Sequence, residues 1–282
     1  MKKIGFIDYY LDEWHANNYP QWIKEQSKGS YEVTYAYGDI DSPEPNGKTN
    51  EQWAADMGIY LCSSIEEVIE KSDCLVVLSP DNPEQHLRLT DLAGKSGKRL
   101  YIDKTFAPDK QTALKIFENA DIHGTPCYST SALRFASAYT ELDRKKVKFI
   151  QSIGPGEFNM YCIHQIEPIV SIMGTDAKRV IFLGDQQYPS VLIEFADGRS
   201  AQFTTMFTAP GFSMKVGYED ENKPVQALEI LPTFWNLFID NLIEFFESGE
   251  IKVPHEETVA IAAIRAAAIQ ARKKPFTWIT VE

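Results

Sequence analysis

The sequence predicts an α/β protein of two domains. Residues 1–130 read as a Rossmann-like, doubly wound parallel sheet, and residues 131–282 as an α+β domain with a mainly antiparallel open sheet. Three observations predict this. Residues 75–78 are a continuous apolar run, residues 80–83 break it with two prolines, residues 83–92 have helical spacing, and residues 99–102 form a second apolar run. The same alternation of strand and helix extends back to the start of the chain and forward to about residue 130. Beyond that point strands follow one another through short turns, Asp197-Gly198 among them, as antiparallel neighbours do.

In order, residues 3–7 read as the first strand and 15–26 as the first helix, interrupted near Pro20. Residues 31–37 alternate as a second strand, and 40–47, with two prolines, form a surface loop. Short helices at 52–57 and 64–71 flank a strand at 59–62, and Ser63 or Ser64 with Glu66 or Glu67 supplies a capping box. After the strand at 99–102 come an amphipathic helix at 108–119 and a last short strand at 126–129. In the second domain strands are expected at 146–153, 179–184, 191–196, 200–207, 212–218 and 225–230. Helices are expected at 132–143, 164–173, 233–247 and 256–272, the last two apolar along one side.

Composition narrows the function classes. Forty-four per cent hydrophobic residues over 282 positions allow each domain a core, and the aromatic content excludes disorder. A net charge of -12 repels nucleic acid and anionic membranes. The short basic run at Arg144, Lys145, Lys146 and Lys148 reads as a solvated helix end. No stretch reaches transmembrane length, and the start lacks the apolar segment of a signal peptide, so a cytoplasmic protein is expected. Cys62, Cys74, Cys127 and Cys162 are too dispersed for a zinc site and read as reduced thiols.

Ligands of open parallel sheets bind beyond the carboxyl ends of the strands, which singles out Ser79, Pro80, Asp103 and Lys104. An ammonium there can donate to a substrate oxygen and stabilise negative charge developing on it. The plainer reading of Lys104 is an ion pair with its neighbour Asp103.

The order of the 75–80 strand, His86, Gly97-Lys98, Asp103-Lys104-Thr105, Arg134, and His164 on a helix closing at Gly174 resembles the glucose-fructose oxidoreductase and inositol dehydrogenase family (Gfo/Idh/MocA). The resemblance spans nearly the whole chain, including residues 245–273. It implies a nucleotide-binding domain followed by a substrate domain whose open sheet builds a homo-oligomer. It further implies NAD or NADP as cofactor, and a sugar, polyol or related hydroxylated molecule as substrate. Asp103-Lys104-Thr105 stands where the family has Glu-Lys-Pro, so Lys104 would sit at the reacting hydroxyl, with His164 as the proton relay. The cofactor positions implied are Asp8, Tyr10 and Asp39 in the first half of the sheet, and Ser79, Pro80, His86 and Asp103 in the second. Arg134 is a candidate for binding an anionic substrate group or for an interdomain salt bridge. Glu167 could orient His164 from the next helical turn or simply be exposed.

Three features depart from that pattern. Asp8, Tyr10 and Glu13 occupy the glycine positions of the turn after the first strand, where small residues let backbone amides approach a pyrophosphate. Bulk and carboxylates there argue against NAD or NADP in the ordinary pose. Tyr9, Tyr10 and Trp14 would stack on a sugar or plug the vacated groove. Asp39, the candidate ribose ligand, follows Asp8 by 31 positions, against a usual spacing of about 20. Met160 stands where the family often has the aspartate that charges its histidine. Two further readings therefore stand beside the dehydrogenase: a cofactor-free carbohydrate lyase or isomerase, and a non-catalytic binding or scaffold subunit.

Overall fold

The structure, a computed structural model, describes residues 1–220 and 222–282. The chain divides into two compact units. The first comprises Met1–Ala107, Gln111–Thr130 and Asn236–His255, and the second Pro108–Lys110, Ser131–Trp235 and Glu256–Glu282.

The first unit is built on six parallel strands: β1 (Lys2–Asp8), β2 (Tyr31–Gly38), β3 (Tyr60–Leu61), β4 (Cys74–Val77), β5 (Arg99–Ile102) and β6 (Cys127–Tyr128). Their order is β3-β2-β1-β4-β5-β6, so the chain reverses direction across the sheet between β1 and β4. Helices cover both faces, which explains why β4 and β5 read as unbroken apolar runs: Leu75, Val76, Val77, Leu100, Tyr101 and Ile102 are all fully buried. The helix Phe234–Ser248, late in sequence, packs against this unit through Phe238, whose ring lies 5.6 Å from Tyr19 and 5.5 Å from Tyr101.

The second unit holds a seven-stranded sheet: β7 (Val147–Gly154), β8 (Ala177–Leu183), β9 (Ser190–Phe195), β10 (Ser200–Thr205), β11 (Ser213–Tyr218), β12 (Gln226–Glu229) and β13 (Trp278–Thr280). The order is β12-β11-β7-β10-β9-β8-β13, antiparallel throughout except for the β7–β10 pair. Alternation decides its faces. Ile150, Val180, Val191, Ile193, Phe203 and Val216 point into a core shared with the helices Ile163–Met173 and His255–Arg272.

Local expectations differ from the fold in several places. The first helix, Trp14–Gln26, runs through Pro20 without ending. The helix expected at 83–92 is instead a 3-10 turn, Pro83–Gln85, followed by short helices His86–Leu89 and Asp91–Gly94. The carbonyl of His86 takes both the amide of Thr90, at 2.9 Å, and its hydroxyl, at 2.6 Å, and the backbone of Thr90 opens to ψ -9° between the two short helices. The helix expected at 132–143 is a 3-10 turn, Ala132–Phe135, and one helical turn, Ser137–Thr140, because Ala136 takes ψ 130° between them. Strand β13 lies where no strand was expected; Trp278 stacks under the guanidinium of Arg179, 4.3 Å from its ring centre.

The packing of β1 is close enough to test. A Cβ on Gly5 would collide with the side chains of Ser72 and Val68, so Gly5→Ala is expected to lower stability by about 1–3 kcal/mol, measured by urea unfolding. An unchanged midpoint would mean that the helix Ile65–Lys71 is not seated on β1 at this point.

Candidate functional site

The reversal between β1 and β4 places the carboxyl ends of β1, β4 and β5 side by side, the position where open parallel sheets bind ligands. Asp8 closes β1 and is 1% exposed. One of its carboxyl oxygens accepts from the amide of Tyr9 at 2.7 Å, while Oδ2 is buried with no hydrogen-bond partner. Burial, then the nearby Glu13 carboxylate, raise Asp8 well above the ordinary carboxyl range.

Between β1 and the first helix the chain is laced to its neighbours. The amide of Leu11 donates to Asn50 Oδ1 at 3.1 Å, and the Asn50 side-chain amide donates to the carbonyls of Gly38 and Ile40. The amide of Ile40 donates to the Tyr9 carbonyl at 2.9 Å. At the end of this segment Glu13, in extended backbone, caps the helix: its carboxylate accepts from the amides of His15, at 2.7 Å, and Ala16. Only 8% of Glu13 is exposed, and burial pushes its carboxyl up to about 7 against the opposing pull of His15.

His15 connects this cap to β5. Its ring stacks on Tyr19, with centres 5.0 Å apart and planes within 7°, and Nδ1 meets the carboxylate of Asp103. The hydroxyl of Tyr101 lies 3.1 Å from the other Asp103 oxygen and 3.0 Å from the Thr130 carbonyl. Burial alone would raise Asp103, but His15, its hydrogen bond and Lys104 outweigh that and hold the carboxyl below its ordinary value. Two buried aspartates at strand ends on either side of β4 thus differ in kind: Asp103 is held as the anion, and Asp8 is driven toward the neutral acid.

Lys104 is 12% exposed by side chain, and its ammonium lies 3.8 Å from Asp81. Ser79 is buried in a left-handed conformation, φ 79°, with its hydroxyl on the Asn82 carbonyl at 3.2 Å. The Pro80 carbonyl accepts from the amide of Thr105 at 3.4 Å, tying the two strand ends together. His86 is fully buried between the carbonyls of Leu78 and Phe106, a structural position joining the same two segments. Burial lowers its pKa despite those carbonyls. Asp39 is engaged by Arg88, at 3.2 and 2.7 Å, and by the Tyr37 hydroxyl at 3.0 Å. Tyr10 is half-buried, and burial followed by Asp81, Asp8 and Glu13 raises its phenol to about 12.

The remaining candidates lie in the second unit. His164 Nδ1 is 2.7 Å from the Ser131 hydroxyl, and the rings of Tyr161 and Phe212 stand edge-on to it at 5.4 and 5.8 Å. Arg134 is bound to Glu167 at 2.6 Å and forms a close ion pair with Glu257 at 2.7 Å. Burial works against its charge, and these two carboxylates outweigh it. Arg134 and Glu167 therefore belong to one buried ionic cluster, with Glu257 as a member that sequence reasoning missed. Ser131, Asn50 and Arg88 were missed as well, since nothing local to any of them points at a partner dozens of positions away. Among the described residues no group of three or more His, Cys, Asp or Glu side chains could hold a metal ion.

Solved structures resemble the chain over its whole length. A scyllo-inositol dehydrogenase from Lactobacillus casei, with bound cofactor NAD(H) and scyllo-inositol, is similar at a TM-score of 0.78 and 13% identity, covering 99% of each chain. Myo-inositol 2-dehydrogenase from Lactobacillus plantarum gives 0.75 at 12% identity, covering 100% of this chain and 99% of that one. A protein of gentamicin A biosynthesis, in complex with NAD, gives 0.75 at 14% identity over 100% and 97%. No family model and no curated protein sequence matches. The chain thus has the two-domain fold of the glucose-fructose oxidoreductase and inositol dehydrogenase family.

In folds of this kind a dinucleotide lays its pyrophosphate on a glycine turn and on the amides of the first helix. Here the amides of His15 and Ala16 are taken by Glu13, Asp8 adds a second carboxyl at the strand end, and Tyr9 is bonded to Ile40 across the groove. Asp39, the candidate ribose ligand, is engaged by Arg88. These residues do not fit NAD or NADP in that pose.

The carboxyl cluster makes stability depend on pH. Glu13 and Asp8 hold protons more tightly folded than unfolded, so their contribution is complete below the ordinary carboxyl range and is lost as pH rises through about 7 for Glu13. Asp103 has the opposite sign, its contribution being lost only as pH falls below that range. Glu13→Gln is expected to flatten the decline in thermal midpoint between about pH 5 and pH 8. An equal decline in both proteins would place the titration elsewhere.

Proposed function

We propose that this chain is an oxidoreductase acting on a sugar, a polyol or a related hydroxylated small molecule. The observation that carries the reading is Lys104, an ammonium kept largely from solvent at the carboxyl end of β5, on a fold whose solved neighbours include an NAD(H) complex with scyllo-inositol. In this position Lys104 donates to the substrate hydroxyl oxygen and stabilises the alkoxide character that develops as the carbon is oxidised. Asp103, kept anionic by His15 and bonded to the Tyr101 hydroxyl, holds the strand end that presents Lys104. His164, oriented by Ser131, is the imidazole this reading assigns to proton transfer. The oxidant implied by the neighbours is NAD or NADP, and its entry requires Glu13 to leave the helix amides.

The proposal extends to assembly and location. Copies would associate through the outer face of the second sheet, where Phe149 and the half-buried Ile153, Ile181 and Leu192 are mixed with Gln151, Gln202 and Lys215. Four buried free thiols suit the reducing cytoplasm.

A second reading is favoured by one observation, the neutral-leaning Asp8 beside Glu13. A carboxyl pair that carries a proton near neutrality suits a cofactor-free lyase or isomerase acting on the same class of substrate.

The test is a panel of sugars and polyols incubated with and without NAD or NADP, followed by nicotinamide absorbance and by proton NMR of the sugar. Oxidation with nucleotide is expected, and Lys104→Ala should reduce kcat/KM by about a hundredfold or more. Turnover unchanged in Lys104→Ala would remove this lysine from the reaction. Conversion of sugar without nucleotide would establish the second reading instead.

A further inference from the structure

The first helix begins on an anion that the chain itself supplies. Both oxygens of Glu13 are used, one on the amide of His15 and the other on that of Ala16, and no other acidic residue lies in the first turn. Two amides at a helix start, with the positive end of the helix dipole behind them, hold one anionic group at a time. Glu13 is also anchored from behind, since its own amide donates to the Leu11 carbonyl at 2.9 Å and the Leu11 amide is held by Asn50. Its backbone is therefore held in place, and only the side chain has to move for the two amides to open.

A second, independent feature lies beside it. Asp8 is buried, and its Oδ2 has no hydrogen-bond partner, so a polar atom sits at the strand end with unused capacity. Driven toward the neutral acid, that carboxyl has an O–H to offer an anion that takes the helix amides in place of Glu13.

We propose that Glu13 is a built-in competitor for the phosphate end of any nucleotide at this sheet edge, so that nucleotide affinity is set by displacement of the Glu13 carboxylate from the amides of His15 and Ala16. The inference rests on the oxidoreductase reading for the identity of the nucleotide, a pyridine dinucleotide. It goes beyond that reading in naming the residue that limits access.

Competition of this kind has a sign in pH. The titratable groups facing Glu13 are His15, Asp103, Asp8, Tyr10 and Tyr19. Of these, Tyr10 and Tyr19 are held as neutral phenols by burial and by the surrounding carboxylates, and Asp103 stays anionic. Glu13, titrating at about 7, loses its charge as pH falls and is then the weaker competitor. Nucleotide affinity of the native chain should therefore rise as pH falls through that value.

The experiment is calorimetric titration of the full chain with NADH, NADPH and inorganic diphosphate, for the native protein, Glu13→Gly and Glu13→Gln. Glycine is an acceptable helix cap and leaves the two amides open. Glu13→Gly should bind the dinucleotide and diphosphate roughly tenfold or more tighter than the native chain, with Glu13→Gln between them, because its amide oxygen still accepts a hydrogen bond but carries no charge. The rise in affinity between about pH 8 and pH 6 should shrink in both variants. If Glu13→Gly does not fold, Glu13→Gln and the pH series decide the question. Variants that bind no tighter than the native chain, including the case in which none binds, would overturn the proposal. The two readings fail separately: a variant that gains nucleotide affinity but oxidises no polyol leaves the competition intact and removes the oxidoreductase assignment. An active native enzyme whose affinity is indifferent to Glu13 does the reverse.

Discussion

A helix start carries amide donors with no partner inside the helix, and whatever anion they take determines what else can approach that end of a parallel sheet. In this protein they take Glu13. The choice propagates outward. Glu13 brings a buried carboxylate to the edge already occupied by Asp8 and Asp103, and three acidic groups within one low-dielectric region cannot all be charged without compensation. His15 and Lys104 compensate Asp103, and Tyr101 adds a hydrogen bond. Asp8 has only the amides of Tyr9 and Tyr10 to set against burial and Glu13, and its carboxyl is pushed well above the ordinary range. Glu13 lies between the two cases, drawn down by His15 and the helix amides and pushed up by burial.

This division of charge ties the packing of the unit to its chemistry. Tyr19 stacks on His15 and rests against Phe238 of a helix from the far end of the sequence, so the apolar packing of that helix also fixes the imidazole that charges Asp103. The strand end bearing Lys104 is joined to the end of β4 by Thr105 on Pro80 and by His86 between two carbonyls. The lysine therefore stands on backbone tied to the neighbouring strand end, as the role proposed for it requires.

Much of this architecture is legible in the amino-acid order. The buried strands β4 and β5 are plain because a strand covered on both faces must be apolar at every position, and their carboxyl ends lead directly to Ser79, Asp103 and Lys104. The bulky turn at Asp8, Tyr10 and Glu13 is equally plain, since small residues are needed there for a phosphate. What Glu13 does is not visible, because the same residue could as easily point to solvent; only the backbone geometry seats it on the helix. The Arg134, Glu167 and Glu257 cluster is hidden for another reason: its members come from three separated segments, and no local pattern announces their pairing. Helices at 83–92 and 132–143 were over-read because spacing reports the apolar face but not the single residue, Thr90 or Ala136, at which the chain departs from it.

The charge of this strand end depends on where the Glu13 carboxylate sits, and carboxyl carbon NMR of the native chain across pH measures that directly, with Glu13→Gln used to assign the signal. A midpoint near 7, accompanied by matching shifts of the His15 and Ala16 amide protons, is the predicted result. A midpoint in the ordinary carboxyl range of about 4, with those amides unmoved, would mean that the carboxylate is solvated, that the helix start is open to phosphate, and that the account is wrong.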